Sequence, residues 1–243
     1  MNNIKTVNVY GDSVLKGVIY DDEKGRYVTA KGDAVSSIGD HFGIKINNYS
    51  KFGATINEGI KLVKHDIERG YKCDVAVLEF GGNDSDFDWA AVVRDPGANH
   101  LSKTHPAEYE RKLKELVMLL RSQGVEVVLS TLPPVDGRKY FNYLVSKGYD
   151  REKLLEYLHT PDTITRYQEI YSCINASVAA ETGCKLCDVR TAFLIRKNVK
   201  DLTCTDGIHP SVRGQLIIAD RFYRFIHKEY PKLKPKSDKG VTA

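Results

Sequence analysis

Five short apolar runs rich in β-branched residues, at 7–10, 45–49, 74–80, 125–130 and 185–189, alternate along the chain with longer stretches of helical period. Ile56, Ile60, Val63 and Ile67 step by four, three and four, which lines one face of a helix. Leu113, Leu116, Val117 and Leu120 do the same ahead of Gly124, and Tyr167, Tyr171, Ile174 and Val178 ahead of Gly183. Ile218, Phe222 and Phe225 mark a last helix that Ser211 is placed to cap. Strands alternating with helices imply right-handed crossovers and a parallel sheet covered on both faces. The mostly apolar third and fourth runs suit central strands, buried on both sides. With no internal repeat and no linker, the expectation is one doubly wound α/β domain.

Two connections, 84–106 and 133–161, are longer than a sheet of this kind needs, and long connections tend to carry function. Both leave the C-terminal end of a strand, the edge where open α/β sheets place their ligands. The second holds Tyr140, Phe141, Tyr143, Tyr149 and Tyr157 with Arg138, Lys139, Lys147, Arg151 and Lys153. It is expected to select the substrate, aromatic faces meeting sugar rings or acyl chains and basic groups meeting an anion. The competing expectation is a helical hairpin whose aromatics pack on the domain. Phe87 and Trp89, in the first connection, read equally as pocket lining or as a local apolar plug.

The chemistry-bearing residues follow the strands. Gly11-Asp12-Ser13 follows the first, Gly53-Ala54 the second and Gly81-Gly82-Asn83-Asp84 the third, while Asp206-Gly207-Ile208-His209-Pro210 precedes the last helix. In a parallel sheet all four stretches converge on one rim. A serine hydroxyl is a poor nucleophile until an imidazole takes its proton. His209 supplies an imidazole, and Asp206, three positions earlier, supplies a carboxylate to orient it. Ser13 N–H, expected at a helix start, Gly53 N–H and the Asn83 amide are candidate donors to an oxyanion. Asp12 is expected to shape the turn. Each piece alone reads as ordinary turn chemistry; the combination does not.

In these blocks the chain resembles the SGNH hydrolases, or GDSL-type esterases and lipases. Gly11-Asp12-Ser13-Val14 departs from the family's name only in valine for leucine. The resemblance implies a flavodoxin-like three-layer α/β/α sandwich with a five-stranded parallel sheet. It also implies acyl-ester hydrolysis with Ser13, Asp206 and His209 as catalytic triad and Ser13, Gly53 and Asn83 as oxyanion hole. The expected substrate is a short acyl, acetyl-type ester of a carbohydrate or other small molecule. A lysophospholipase, a thioesterase or an acyltransferase shares the scaffold, and a catalytically silent binding protein is the rival from outside the enzymes.

Composition narrows the partners. Of the net charge of +4, five lysines against Glu229 and Asp238 place +3 in residues 228–243, leaving +1 for the rest. A near-neutral body with a basic tail argues against nucleic-acid binding. The domain is expected to span 1–230, with 231–243 a solvated, disordered tail. No apolar run approaches the roughly 18 residues of a membrane span, and the N-terminus lacks a signal-peptide pattern, so a cytoplasmic location is expected. Five cysteines, odd in number, read as reduced thiols, with Cys184 and Cys187 packing in a strand. His65, His100 and His105 are too scattered for a metal site. No metal and no cofactor is expected.

Overall fold

In the computed structural model, which describes residues 4–30 and 34–235, the chain runs in order through β1 (Thr6–Gly11), β2 (Val18–Asp21), β3 (Arg26–Thr29), α1 (Ala34–Phe42), β4 (Lys45–Asn48) and α2 (Ile56–Glu68). It continues through β5 (Val75–Glu79), α3 (Trp89–Arg94), α4 (Pro106–Ser122), β6 (Glu126–Ser130), α5 (Gly137–Ser146) and α6 (Arg151–Leu158). The last elements are α7 (Asp162–Thr182), β7 (Lys185–Cys187), α8 (Val189–Leu194) and α9 (Val212–Glu229). The strands expected at the five apolar runs form one parallel sheet in the order β4-β1-β5-β6-β7. Residues 236–243 of the expected tail lie outside the described residues.

Alternation along the central strands builds two cores. Val75 and Val77 of β5 face a cluster with Ile38 of α1 and Ile218 and Phe222 of α9. Ala76 and Leu78 face the opposite cluster, with Val63 of α2, Leu116 of α4 and Val178 of α7. All five β5 side chains are buried, as a strand covered on both faces requires. Gly183 ends α7 in the left-handed conformation, with φ of 67°. Cys187 is fully buried on β7, and none of the five cysteines is in a disulfide. No helix of the described residues is long and apolar enough to cross a membrane.

The strand order places a topological switch between β1 and β5, whose following helices cover opposite faces. Loops leaving adjacent strands toward opposite faces open a crevice between them, which is where such sheets bind ligands. Gly11 and Glu79 are paired, so both strands end at one level. Ser13 and Asn83 therefore emerge on either side of that crevice.

Two features lie beyond the expected alternation. Strands β2 and β3 form a separate antiparallel hairpin after β1, turning at Asp22–Gly25 with Gly25 at φ +60°. Helices α3, α5 and α6 fold on a third apolar cluster of their own, centred on Phe87, Trp89, Phe141, Leu144, Leu154 and Leu158. The hairpin and this cluster stand over the C-terminal rim of the sheet.

Candidate active site

Ser13, His209 and Asp206 form one hydrogen-bonded chain. The Ser13 hydroxyl lies 2.9 Å from His209 Nε2, and His209 Nδ1 lies 2.6 Å from Asp206 Oδ2. A carboxylate only accepts, so Nδ1 carries the proton and Nε2 is left to accept from Ser13. Asp206 is fully buried, and its Oδ1 also accepts the N–H groups of Ile208, at 3.2 Å, and His209, at 3.1 Å. The turn owes its shape to Gly207. With φ at +79° and a Cβ site 2.2 Å from Tyr140 N, that position admits no side chain. Its carbonyl accepts from Asp136 N–H at 2.8 Å, docking the Asp206–His209 turn on α5.

Ser13 is not at a helix start. Residues 13–17 form a turn that runs into β2, so no helix dipole acts there, contrary to the sequence expectation. Asp12 shapes this turn as expected, its Oδ1 accepting from Val14 N–H at 2.8 Å. Among the described residues, the N–H groups of Ser13 and Gly53 meet no protein acceptor. Both residues line the cavity that holds the serine hydroxyl. Gly53 is required by its φ of +73°; its Cβ site is open space rather than a close approach. Asn83 lines the same cavity, with Nδ2 donating at 3.1 Å to Asp12 Oδ2 and at 3.1 Å to Ala54 O. The side chain thereby ties the β1, β4 and β5 loops together.

Three buried acids surround this junction. Burial pushes the Asp12 carboxyl up to about 6, although Val14 N–H and His209 favour its charged form. Burial likewise lifts Asp84 to about 6 against the N–H of Ile56, the first of α2, which meets both its oxygens at 3.1 Å. Glu79, 1% exposed, is raised well above the usual range, first by burial and then by the charge of Asp12. The sequence reading passed over Glu79, because a glutamate inside a buried strand carries no motif.

The cavity measures about 340 Å³, enough for a small-molecule ligand. Phe87, Trp89, Leu132, Val135, Ile164 and Tyr167 give it an apolar wall, and Asp86, Lys103 and Gln168 give it a few polar groups. Trp89 Nε1 donates to Asp86 Oδ1 at 2.8 Å, as does the Tyr140 hydroxyl at 3.1 Å, while Lys103 Nζ pairs with Asp86 Oδ2 at 2.9 Å. Phe87 and Trp89 thus both line the pocket and belong to the apolar plug. Tyr27 of the hairpin, missed from sequence, lies with its ring 4.9 Å from that of His209; Phe52 stacks on the same imidazole at 5.8 Å and 13°. The β-branched and aromatic residues of Val18–Asp21 and Arg26–Thr29, on either side of a polar turn ending in Gly25, were the signal for that hairpin.

The 133–161 segment departs from its expected role. Of its aromatics only Tyr140 lines the cavity, beside Pro133 and Val135. Phe141, Tyr143, Tyr149 and Tyr157 pack in the third cluster. None of its five basic residues reaches the cavity. Arg138 pairs with Asp162, Lys139 donates to the Lys200 and Thr203 carbonyls, and Lys147 and Arg151 lie over aromatic rings. Most of the segment is scaffold.

A flavodoxin-ordered sheet carrying a Ser-His-Asp chain at its switch point defines an α/β sandwich built like a serine hydrolase. More narrowly, residues 9–217 match the GDSL-like lipase/acylhydrolase family, and the chain belongs to it. GDSL esterase/lipase CPRD49 of Arabidopsis thaliana is 26% identical over 168 residues, which cover 67% of this chain and 59% of that relative. The chain thus matches less than two thirds of the relative's length. Among solved structures, the lipase/acylhydrolase from Enterococcus faecalis superposes with a TM-score of 0.67 at 18% identity, covering 96% of this chain and 99% of that one. Axe2, an acetylxylan esterase from Geobacillus stearothermophilus, gives 0.62 at 20% identity over 91% and 94%. At such identities the likeness speaks for the fold.

Proposed function

We propose that the chain is a serine ester hydrolase working through an acyl-enzyme, with Ser13 as nucleophile, His209 as general base and acid, and Asp206 as orienter. The Ser13–His209–Asp206 chain opening onto the cavity carries this reading. As Ser13 Oγ bonds to the ester carbonyl carbon, its proton passes to His209 Nε2, and the carbonyl π electrons move onto oxygen. The N–H groups of Ser13 and Gly53 receive that oxyanion, joined by the Asn83 amide as it exchanges its bond to Ala54 O for one to the substrate oxygen. Collapse breaks the bond to the alcohol oxygen, which takes the proton from His209. Water then attacks the acyl-enzyme, giving its proton to His209, and the carboxylic acid leaves as the proton returns to Ser13 Oγ.

The substrate we assign is a short acyl, acetyl-type ester of a carbohydrate or similar small molecule, its alcohol portion occupying the cavity. Aromatic faces interleaved with Asp86, Lys103 and Gln168 support a polyhydroxylated alcohol. The structural likeness to an acetylxylan esterase agrees with this. The apolar wall favours a second reading, in which a longer acyl chain fills the cavity, as for a thioesterase or lysophospholipase. Rates on acetyl, butyryl and octanoyl esters of one alcohol separate the two: kcat/KM falling with chain length supports the first, and rising supports the second. A fluorophosphonate probe should label Ser13 alone and leave the Ser13→Ala and His209→Ala proteins blank. Labelling elsewhere with Ser13 untouched would overturn the assignment.

A further inference from the structure

Glu79 is the last residue of β5, level with Gly11 on β1, and it lines the floor of the cavity below Ser13. Neither of its carboxyl oxygens has a hydrogen-bond donor among the described N–H and hydroxyl groups. An ionised carboxylate so placed bears the full cost of desolvation with nothing to offset it. Its neighbour is a second buried carboxyl group, that of Asp12, which follows the Gly11 paired with Glu79 and lines the same cavity, so that the charge of each raises the cost of charging the other. Two acids in contact cannot both ionise cheaply, and one proton between them turns the repulsion into a hydrogen bond.

The two members differ in their other partners. Asp12 accepts from Val14 N–H through Oδ1 and from the Asn83 amide through Oδ2, both of which favour its charged form. Glu79 has no such donors. The proton therefore belongs on Glu79 and the charge on Asp12. The other titratable groups around the pair are Asp84, Tyr109 and His209. Burial keeps the Tyr109 phenol neutral, and the charge of Asp84 further disfavours a second charge on the pair. The backbone beside the two carboxyls is close, since a Cβ at Gly82 would stand 3.0 Å from Asp12 Oδ2 and one at Gly11 would stand 3.3 Å from Glu79 Oε2.

We propose that Glu79 is a positioning residue for ester hydrolysis: held as a neutral acid, it donates its proton to Asp12 and so fixes the carboxylate that orients the Ser13 turn and the Asn83 amide. Glu79 touches no reacting atom. It acts through Asp12, which grips both the nucleophile's turn and an oxyanion donor. The inference rests on the serine-hydrolase reading for its kinetic consequence, but not for the protonation state.

Two measurements test it separately. In the intact protein at pH 8, where Asp12 and Asp84 are ionised, the infrared spectrum should contain the carbonyl stretch of a buried protonated carboxyl that vanishes in Glu79→Gln. Its absence from the wild-type protein overturns the proposal whatever the kinetics show. With a small activated acetate as substrate, Glu79→Gln, which keeps a donor toward Asp12, should retain most of kcat. Glu79→Leu, of similar bulk but without a donor, should lose roughly 10²-fold in kcat with KM little changed. It should also move the acid limb of the kcat profile to higher pH, because Asp12 loses a bond that favours its charge. Equal activity of the two variants overturns the positioning role. If the wild-type protein neither hydrolyses esters nor labels at Ser13, the hydrolase reading and the kinetic role fail together, and the infrared band alone decides the shared proton. Should Glu79→Leu not fold, the band and the Glu79→Gln profile remain decisive: a loss of 10²-fold in the glutamine protein would mean that Glu79 works as an anion.

Discussion

Tyr27 and Tyr143 hold their phenol oxygens 3.0 Å apart, with Tyr27 donating, and that bond ties the β2–β3 hairpin to α5 beside His209. Tyr27 lies against His209 on one side of this bond, while Tyr143 packs edge-on to Tyr20 and under Lys147 on the other. Burial and the bond to Tyr143 both push the Tyr27 phenol up, so it remains a neutral donor across the working range. Tyr143→Phe should cost about 1 kcal/mol of stability by leaving that donor unpaired. A Tyr27→Phe/Tyr143→Phe cycle read by urea denaturation should show the two losses to be non-additive. Strict additivity would mean that the hydroxyls do not interact in solution.

Asn83 carries two duties. Its amide bridges Asp12 and Ala54 in the free protein and is the third donor proposed for the oxyanion. Asn83→Ala should lower kcat by roughly 10²–10³ with little change in KM. It should also lower stability by about 1–3 kcal/mol, because Asp12 Oδ2 and Ala54 O both lose a donor. Retained kcat alongside lost stability would assign Asn83 to loop tying alone.

Part of this arrangement was legible before any coordinates. The five runs marked the sheet strands to within a residue or two; the apolar signature is continuous in the central strands β5 and β6 and weaker in the edge strand β4, whose Lys45–Asn48 is mostly polar and partly exposed. Ser13, Asp206 and His209 announced themselves through order and spacing. Glu79 did not: only the pairing of Gly11 with Glu79 sets it beside Asp12, and pairing is a tertiary fact. Helices α5 and α6 match the helical hairpin weighed for 133–161, but the residues they pack on were not legible, because their apolar side chains face a small cluster of their own rather than the sheet. The sequence places Ser13 at a helix start, whereas residues 13–17 form a turn because the β2–β3 hairpin intervenes before α1.

Asp84 offers a clean reading of pH against stability. Its folded value of about 6 lies above the ordinary 3.8, so the fold holds the neutral acid more tightly than the unfolded chain does. Its contribution is therefore fully present below pH 4 and is lost as the pH rises through 6. Asn at this position keeps an acceptor for Ile56 N–H and does not ionise. The stability of Asp84→Asn relative to wild type should grow between pH 4 and 7 by an amount on the order of 3 kcal/mol. Denaturation midpoints across that range measure it. A difference that does not vary with pH would mean that Asp84 ionises normally in the fold.

Phe52 offers a test of which half of the ester meets the aromatic face beside His209. It is 53% exposed, lines the cavity and stacks on the His209 imidazole, the group proposed to protonate the departing alcohol. On the proposed mechanism the alcohol oxygen leaves from His209 Nε2, and a ring attached to that oxygen is expected to meet the neighbouring aromatic face. An exposed aromatic contributes little to folding, so Phe52→Ala should unfold within a few degrees of the wild-type protein. A stacked contact with a sugar or aromatic alcohol is worth about 0.5–1.5 kcal/mol. The variant should accordingly lose roughly three- to tenfold in kcat/KM on an acetylated oligosaccharide, yet keep its rate on ethyl acetate, whose alcohol is too small to reach the ring. Equal losses on both esters would instead show Phe52 acting on His209 itself, by holding the imidazole in line with Ser13. A loss confined to octanoyl esters would place the acyl chain, rather than the alcohol, against this face.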